Sequence, residues 1–170
     1  NLLETRTISG NKALRQTLHE RVYSDEVYTD KAYFIAKREE QRLRHDKYGD
    51  SEYNLEPNVK SSPGTLRDIQ TIGWITKRHF GSIGLDELTI HKFLTDEELQ
   101  ILRDGETFLW RLRYGLQMLA KRNENRLLFD HQRNLAVILG YSDCDMKLAV
   151  EAMMQKYYRV VLALAELTDV

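Results

Sequence analysis

Proline is confined to one short stretch of this chain, and this distribution constrains the fold more than any other feature. The two prolines are Pro57 and Pro63, so residues 1–56 and 64–170 contain no proline that would interrupt a helix. In both regions apolar residues recur at intervals of three and four. The sequence therefore predicts an all-α fold, a helical bundle of about six or seven helices with one extended loop near residues 50–64.

Six segments have the apolar period of an amphipathic helix. They cover residues 11–23, 29–48, 65–80, 95–122, 130–139 and 142–168. Two of them open with a threonine that is followed three residues later by an acid, Thr65 with Asp68 and Thr95 with Glu98. This spacing predicts a capping box at the start of each of the two helices.

Glycines mark predicted helix ends and predicted helix crossings. Gly49 and Gly81 follow two of the periodic segments and are expected to end them. Gly73, Gly105 and Gly115 lie inside predicted helices, where each costs up to about 1 kcal/mol relative to alanine. We expect a close approach of neighbouring helices at these three positions to offset that cost.

Composition and charge exclude several classes of protein. The chain has 170 residues, of which 42% are hydrophobic, and residues 1–170 are predicted to form a single helical domain around one core. Its 25 basic and 26 acidic side chains leave a net charge of -1, so no nucleic-acid partner is expected. The longest unbroken apolar run, residues 160–165, is too short to cross a membrane, so no membrane partner is expected either.

The only cysteine and the first residue bear on the cellular context. Cys144 has no second cysteine with which to form a disulfide, which is typical of a reducing compartment, and a cytoplasmic location is expected. The sequence begins with Asn1 and has no signal or transit segment at its start. We therefore expect a fragment of a larger multidomain protein.

Residues 50–64, DSEYNLEPNVKSSPG, interrupt the helical pattern. From position 54 to position 60 polar and apolar side chains alternate, which is the period of an extended segment with one polar face. The polar face consists of Asn54, Glu56, Asn58 and Lys60, and the apolar face consists of Leu55, Pro57 and Val59. A solvated loop between helices is one interpretation, and a polar face with a functional role is the other.

Two long segments resemble one enzyme family. They are NLEPNVKSSPGTLRDIQTIGWITKRHFG and LTDEELQILRDGETFLWRLRYGLQMLAKRNENRLLFDHQRNLAVILGY, and both are similar to the bacterial PII uridylyltransferase/uridylyl-removing enzymes. In that family a nucleotidyltransferase domain uses UTP and Mg²⁺ to transfer UMP to the PII nitrogen-signalling protein, and an HD domain removes it. The resemblance implies that this chain is the helical domain that packs on the nucleotidyltransferase core and links it to the HD domain.

The resemblance and the alternating pattern point to the same loop residues. Glu56 is the candidate catalytic residue, an extra carboxylate for orienting Mg²⁺ or the attacking tyrosine hydroxyl. Asn58, Lys60 and Arg67 are the candidate substrate-binding residues, with Lys60 placed to meet a phosphate. Arg67 and Asp68 open the next helix and are expected to lock the loop in place. The alternative hypothesis is a domain-contact loop whose polar residues bond to the rest of the parent protein.

Two motifs resemble metal sites but are predicted to be structural. Residues 142–145 are Ser-Asp-Cys-Asp, and we interpret them as the cap and first-turn acids of the following helix, because no glycine-serine turn precedes them. His45 and Asp46 form the dipeptide of HD phosphohydrolases but lie in a charged run, which favours a surface histidine. No metal or cofactor is therefore expected in this chain, and Mg²⁺ is implied only for the parent enzyme.

The remaining cations and aromatic residues are given structural roles. Arg111 and Arg113 are predicted to lie on a solvated helix face. Trp74, Trp110 and Tyr114 are predicted to be core or helix-crossing aromatics.

Two further functions stay open at this point. The first alternative to the uridylyltransferase domain is a non-catalytic interaction or spacer module. The second is the equivalent domain of a related nucleotidyltransferase such as glutamine-synthetase adenylyltransferase. Under each hypothesis the chain by itself is expected to be inactive, because neither catalytic metal constellation is present, although its PII-modifying parent is an enzyme.

Overall fold

The computed structural model of this chain describes residues 2–48, 54–81, 84–144 and 147–168. These residues form a short 3-10 turn at Leu2–Glu4 and seven α-helices, without any named strand. The helices are α1 (Lys12–Tyr23), α2 (Asp30–Lys47), α3 (Leu66–Phe80), α4 (Glu87–Ile90), α5 (Asp96–Ala120), α6 (Phe129–Ile138) and α7 (Ala149–Thr168). The predicted all-α bundle is confirmed.

One hydrophobic core lies between four of the helices. α7 contacts α3, α5 and α6, and α2 packs outside this group against α3. The long helices α5 and α7 supply the largest set of fully buried side chains, which are Leu102, Leu109, Leu112, Leu116, Met153, Tyr157, Val161 and Leu164. These residues repeat at three and four within each helix, so the apolar period alone placed them on one face. None of the described helices has an apolar stretch long enough to cross a membrane.

The predicted capping boxes have different outcomes. At the start of α5 the Glu98 N–H donates to the Thr95 hydroxyl, and the Thr95 N–H donates to the Glu98 carboxylate, so this capping box is confirmed. At the start of α3 the prediction is wrong. The Thr65 hydroxyl donates instead to the Ser62 carbonyl, and the Asp68 carboxylate accepts from the Gly64 N–H. Gly81 ends α3 in the left-handed conformation, with φ 72°, as predicted.

The start of α7 differs from the predicted one. Residue 142 was the expected cap, but the helix begins seven residues later, at Ala149. The Ala149 N–H donates to the Asp143 carboxylate at 2.7 Å, and the Leu148 N–H donates to Glu151 at 3.0 Å. Asp143 therefore does serve the helix terminus, while the predicted acid at 145 lies outside the described residues, as does Gly49. The sequence did not predict α4 or the 3-10 turn.

Two of the three internal glycines lie at close helix crossings. A Cβ at Gly105 would lie 2.9 Å from Leu164, and a Cβ at Gly115 would lie 2.7 Å from Leu135. These positions bring α5 against α7 and α6, so the prediction is confirmed there. At Gly73 the nearest neighbour of a Cβ would be 3.9 Å away, an ordinary contact, so no close crossing explains that glycine.

Candidate anion-binding site

The segment from 54 to 65 is a folded loop rather than an extended strand. Asn58 folds it, because its side-chain oxygen accepts from the N–H groups of Lys60 and Ser61, each at 3.0 Å. The alternation predicted for this segment holds only in part, since Pro57 and Val59 are buried but Leu55 is 66% exposed. Residues 50–53 of the predicted loop lie outside the described residues.

The loop is held against the segment between α5 and α6. The Val59 N–H donates to the Asn125 carbonyl, and the Leu127 N–H donates to the Pro57 carbonyl, both at 2.8 Å. The buried Gln132 amide then donates to the carbonyls of Leu55 and Leu127, at 2.9 and 2.8 Å. Gln132 was not predicted from the sequence, because Leu55 lies 77 residues away along the chain and only the tertiary fold brings the two together.

A second attachment is a polar cluster around Asp68, whose side chain is completely buried. The carboxylate accepts from the Gly64 N–H at 2.7 Å, from Arg44 at 2.7 Å and from Gln41 at 3.2 Å. The His45 ring nitrogen Nε2 lies 3.1 Å from both carboxylate oxygens and must carry the proton that joins them. The predicted locking role of Asp68 is confirmed. The predicted surface position of His45 is wrong, because its side chain is only 14% exposed.

Three cations converge beside the loop. The Arg67 N–H donates to the Lys60 carbonyl at 2.8 Å, which places these two residues side by side at the start of α3. Arg113 reaches the same region from α5, because its Nε donates at 2.7 Å to the Asn125 side chain, and the Asn125 carbonyl is bonded to Val59. We call Lys60, Arg67 and Arg113 the cation cluster.

Electrostatics inside the cation cluster are repulsive. Burial lowers the pKa of Lys60, and the charges of Arg67 and Arg113 lower it further. The pKa of Arg113 is also lowered, by burial first and by Arg67 second. Among the residues that the structure describes, no acidic side chain forms an ion pair with any of the three. An anion placed between them would relieve this repulsion, which makes the cluster a candidate phosphate site.

Glu56 has two partners within the chain. One carboxylate oxygen accepts from the Phe129 N–H at 3.0 Å, at the first residue of α6, and the other lies 3.3 Å from Arg126. Arg126 also donates to the Glu56 carbonyl at 3.2 Å. Glu56 therefore caps α6 and joins the loop to it, so its partners lie within this chain rather than in the rest of the parent protein. A catalytic role for Glu56 stays a prediction.

The donor groups of the described residues decide whether this part of the chain can hold Mg²⁺. They contain no group of three or more His, Cys, Asp or Glu side chains that could hold a metal ion. Glu56 is bonded to a guanidinium and a backbone N–H, which is not the donor set of a divalent cation. The described side chains therefore do not fit Mg²⁺.

Arg113 is the member of the cation cluster that was not predicted from the sequence to bind a ligand. Arg111 is exposed on α5 as predicted, but Arg113 is half-buried and hydrogen-bonded. The predicted burial of the aromatic residues is confirmed for one of the three and wrong for the other two. Trp74 is buried as predicted, whereas Trp110 is 40% exposed and Tyr114 is 69% exposed, so the core assignment of these two is wrong.

The chain is similar to known proteins along almost its whole length. The family model described as GlnD PII-uridylyltransferase matches residues 32–170. The bifunctional uridylyltransferase/uridylyl-removing enzymes of Stutzerimonas stutzeri (strain A1501) and Azotobacter vinelandii (strain DJ / ATCC BAA-1303) are 56% and 55% identical over 169 residues. The enzyme of that name from Pseudomonas aeruginosa (strain UCBPP-PA14) is 56% identical over 168 residues.

The matches cover nearly all of this chain but only a small part of each relative. The matches include 99% of this chain but only 19% of each of the three relatives, so the chain spans about a fifth of their length. No solved structure matches the chain. The extent of the family match and the identity to these enzymes lead to one conclusion: the chain belongs to the PII-uridylyltransferase family.

Proposed function

We propose that this chain is the helical domain of a bifunctional, cytoplasmic enzyme that transfers UMP from UTP to the PII nitrogen-signalling protein and also removes it. In this proposal the domain packs on the nucleotidyltransferase core, links it to the HD domain, and presents the cation cluster to the phosphates of the nucleotide. The observation that carries the proposal is the convergence of Lys60, Arg67 and Arg113 without an acidic partner among the described residues.

The chemistry of the reaction supports this assignment. Transfer of UMP from UTP breaks a phosphoanhydride bond, and negative charge grows on the departing pyrophosphate. Fixed cations that face the growing charge stabilise the transition state without having to reorient. Lys60 is suited to this role because its peptide is held by Asn58 and Arg67, so its backbone position is set before a ligand arrives.

Two alternatives are less well supported. A glutamine-synthetase adenylyltransferase domain is disfavoured because the three relatives described above carry the uridylyltransferase name. A spacer module explains the capping role of Glu56 and the contacts of Arg67 with Trp74 and of Arg113 with Asn125. It gives no reason for placing Lys60 beside these two cations, because each of the three charges raises the energy of the others.

The proposal is tested with Lys60→Gln in the full-length enzyme. We expect kcat/KM for UTP in the transfer reaction to fall by about 10- to 100-fold, because one stabilising charge is lost. The uridylyl-removing activity is measured on the same preparation and is expected to stay near that of the wild type. Lys156→Gln, which replaces an exposed lysine of α7, is the matched control and should leave both activities unchanged. An unchanged kcat/KM for UTP in Lys60→Gln would overturn the phosphate role.

Glu56→Gln separates the two hypotheses for the loop in the same assay. The amide oxygen still accepts from the Phe129 N–H, so the cap is kept and only the charge is removed. A catalytic Glu56 requires transfer to fall by roughly a hundredfold while removal and melting temperature hardly change. If both activities instead fall together with the melting temperature, Glu56 is a structural joint between the loop and α6.

A further inference from the structure

Trp110 is a partly exposed tryptophan whose position the hydrophobic core does not explain. The chain contains two tryptophans, and Trp74 is buried in α3, whereas Trp110 on α5 is 40% exposed. Packing therefore accounts for Trp74 but only in part for Trp110. A single exposed apolar side chain requires no special role. The contacts of the Trp110 ring, however, connect it to the cation cluster.

The Trp110 ring lies against the guanidinium of Arg113. The Arg113 Cζ atom is 5.2 Å from the ring centre, within the range of a cation–π contact. The two residues are three positions apart on α5 and are therefore neighbours on the helix surface. The indole N–H donates to the Glu106 carboxylate at 3.4 Å, one turn earlier on the same helix, and this bond orients the ring. Helix α5 thus sets the ring in place before any ligand arrives.

Arg113 stays in the cation cluster although its neighbours repel it. The charge of Arg67 disfavours the charged form of Arg113, and an unrestrained guanidinium would turn away from the other cations into solvent. Two contacts oppose this movement. The Arg113 Nε donates to the Asn125 side chain at 2.7 Å, and the flat face of the guanidinium lies on Trp110.

These two contacts leave the terminal nitrogens of Arg113 free. Its Nη1 and Nη2 atoms form no hydrogen bond with any described residue. The N–H groups on this edge of a guanidinium have the spacing of two oxygens of one phosphate group and bind them as a pair. Holding the guanidinium in one orientation removes part of the entropy cost of forming that pair.

Arg67 is held in a similar way. Its Cζ atom lies 5.3 Å from the ring centre of Trp74, which is seven residues later and on the same face of α3. The Arg67 guanidinium also forms no hydrogen bond or ion pair with a described residue. Both arginines of the cation cluster therefore contact a tryptophan ring of their own helix, and both keep their donors available.

We propose that Trp110 is a positioning residue of the phosphate site, which holds Arg113 so that its terminal nitrogens meet the departing pyrophosphate of UTP. The inference rests on the proposed function and adds a residue that acts through Arg113 without touching the nucleotide. It also gives a reason for an indole at a partly exposed position of α5.

The test is a double-mutant cycle in the full-length enzyme, with Trp110→Leu, Arg113→Gln and the two combined. We expect Trp110→Leu to lower kcat/KM for UTP in the transfer reaction by about three- to tenfold, because Arg113 is no longer held at the site. In the Arg113→Gln enzyme the same substitution should change kcat/KM by less than about twofold, because the group through which Trp110 acts is gone.

Conservative and matched variants complete the cycle. Trp110→Phe keeps an aromatic ring and should restore most of the lost kcat/KM. Phe108→Leu is the matched control, because the Phe108 ring of α5 lies 5.1 Å from the Lys156 ammonium, outside the cation cluster, and kcat/KM for UTP should not change. Uridylyl removal and melting temperature are measured on every variant and should stay near those of the wild type. Trp110→Gln replaces Trp110→Leu in the cycle if the leucine variant does not fold.

Three results would overturn the proposal. A fall of equal size with and without Arg113 would mean that Trp110 contacts the substrate itself or acts elsewhere. A joint loss of both activities and of melting temperature would make its role structural. An unchanged kcat/KM in Trp110→Leu would reject the positioning role. Lys60→Gln in the same assay identifies what has failed: if it lowers kcat/KM for UTP, only the role of Trp110 is rejected, and if it does not, the proposed phosphate site is rejected as well.

Discussion

Asp68 shows how one buried side chain positions a surface loop. Its carboxylate is completely buried, and by itself that burial raises its pKa. The hydrogen bond from His45 and the charge of Arg44 outweigh this effect, so the pKa lies below its ordinary value. The ionised carboxylate then holds the Gly64 N–H, and through it the turn that carries Lys60. The charge of Asp68 thus contributes to the geometry of the cation cluster.

The stabilising contribution of Asp68 is expected to depend on pH. Because the pKa is lower in the folded than in the unfolded state, the contribution is complete above the unfolded pKa of about 3.9 and is lost as the pH falls through the folded pKa. Asp68→Asn should lower the free energy of unfolding by about 3–5 kcal/mol at neutral pH, since Arg44 is left without its carboxylate. Urea titrations between pH 7 and the acid limit of folding measure this difference.

The difference between wild type and Asp68→Asn should shrink once the pH falls below about 4. Asp46→Asn is the control, because Asp46 forms an exposed pair with Arg42, and its loss should change the free energy of unfolding by less than about 1 kcal/mol. A gap between wild type and Asp68→Asn that stays constant over the whole pH range would contradict the assigned role.

At the level of elements, the loop backbone at Gly64 lies so close to α7 that no residue with a Cβ atom fits there without a shift. Gly64 has φ 66°, and a Cβ built on it would lie 2.2 Å from the Val161 carbonyl oxygen. Gly81 has a similar φ of 72° at the end of α3, but no atom of the described residues lies within 4 Å of its Cβ position. The two glycines therefore share one backbone requirement, while only Gly64 also has a steric one.

Alanine substitutions at Gly64 and Gly81 should separate the cost of the left-handed backbone from the cost of the close contact with α7. Gly81→Ala is expected to cost about 1–2 kcal/mol of stability, from the left-handed backbone alone. Gly64→Ala should cost about 1–3 kcal/mol more, because the loop must move away from α7. Thermal and urea unfolding of both variants measure the difference. Equal losses would show that the contact between Gly64 and α7 relaxes freely and does not position the loop.

For the whole molecule, the proposed function assigns the scaffold of a site to this chain and the reacting centre to the rest of the polypeptide. The described residues contain no group of side chains that could hold a metal ion, and the three residues of the cation cluster are half-buried. The chain also spans only about a fifth of its relatives. In the proposed function, the metals and the uridine pocket come from the remainder of the polypeptide.

The purified chain alone is therefore expected to neither transfer UMP to PII nor remove it, with Mg²⁺ or Mn²⁺ present. Incorporation from labelled UTP, followed by gel autoradiography, measures transfer, and release of label from modified PII measures removal. Far-UV circular dichroism on the same preparation should show a mainly helical chain, so that inactivity is not a result of misfolding. Incorporation clearly above that of a mock preparation would mean that Asp143 belongs to a catalytic pair rather than to the start of α7.

The features that the sequence predicted correctly are those set by local interactions. The capping box at Thr95, the glycine stop at Gly81 and the apolar faces of α5 and α7 each depend on residues within about one or two helical turns. The attachment of the loop by Asp68 was predicted for a related reason, since Gly64 lies only four residues away. Lys60 and Arg67 were predicted as substrate-binding residues from the loop and the family resemblance, and that role stays a prediction.

Tertiary structure decided which side chains meet and which faces stay open. His45 joins Asp68 across 23 residues, and Asn125 links Arg113 to Val59. The apolar period of a helix gives the direction of its stripe but not the neighbour that covers it, which is why Trp110 and Tyr114 are exposed despite their helical spacing. For the same reason the sequence marks α1 as amphipathic, whereas only packing shows that its apolar side has no cover within the described residues.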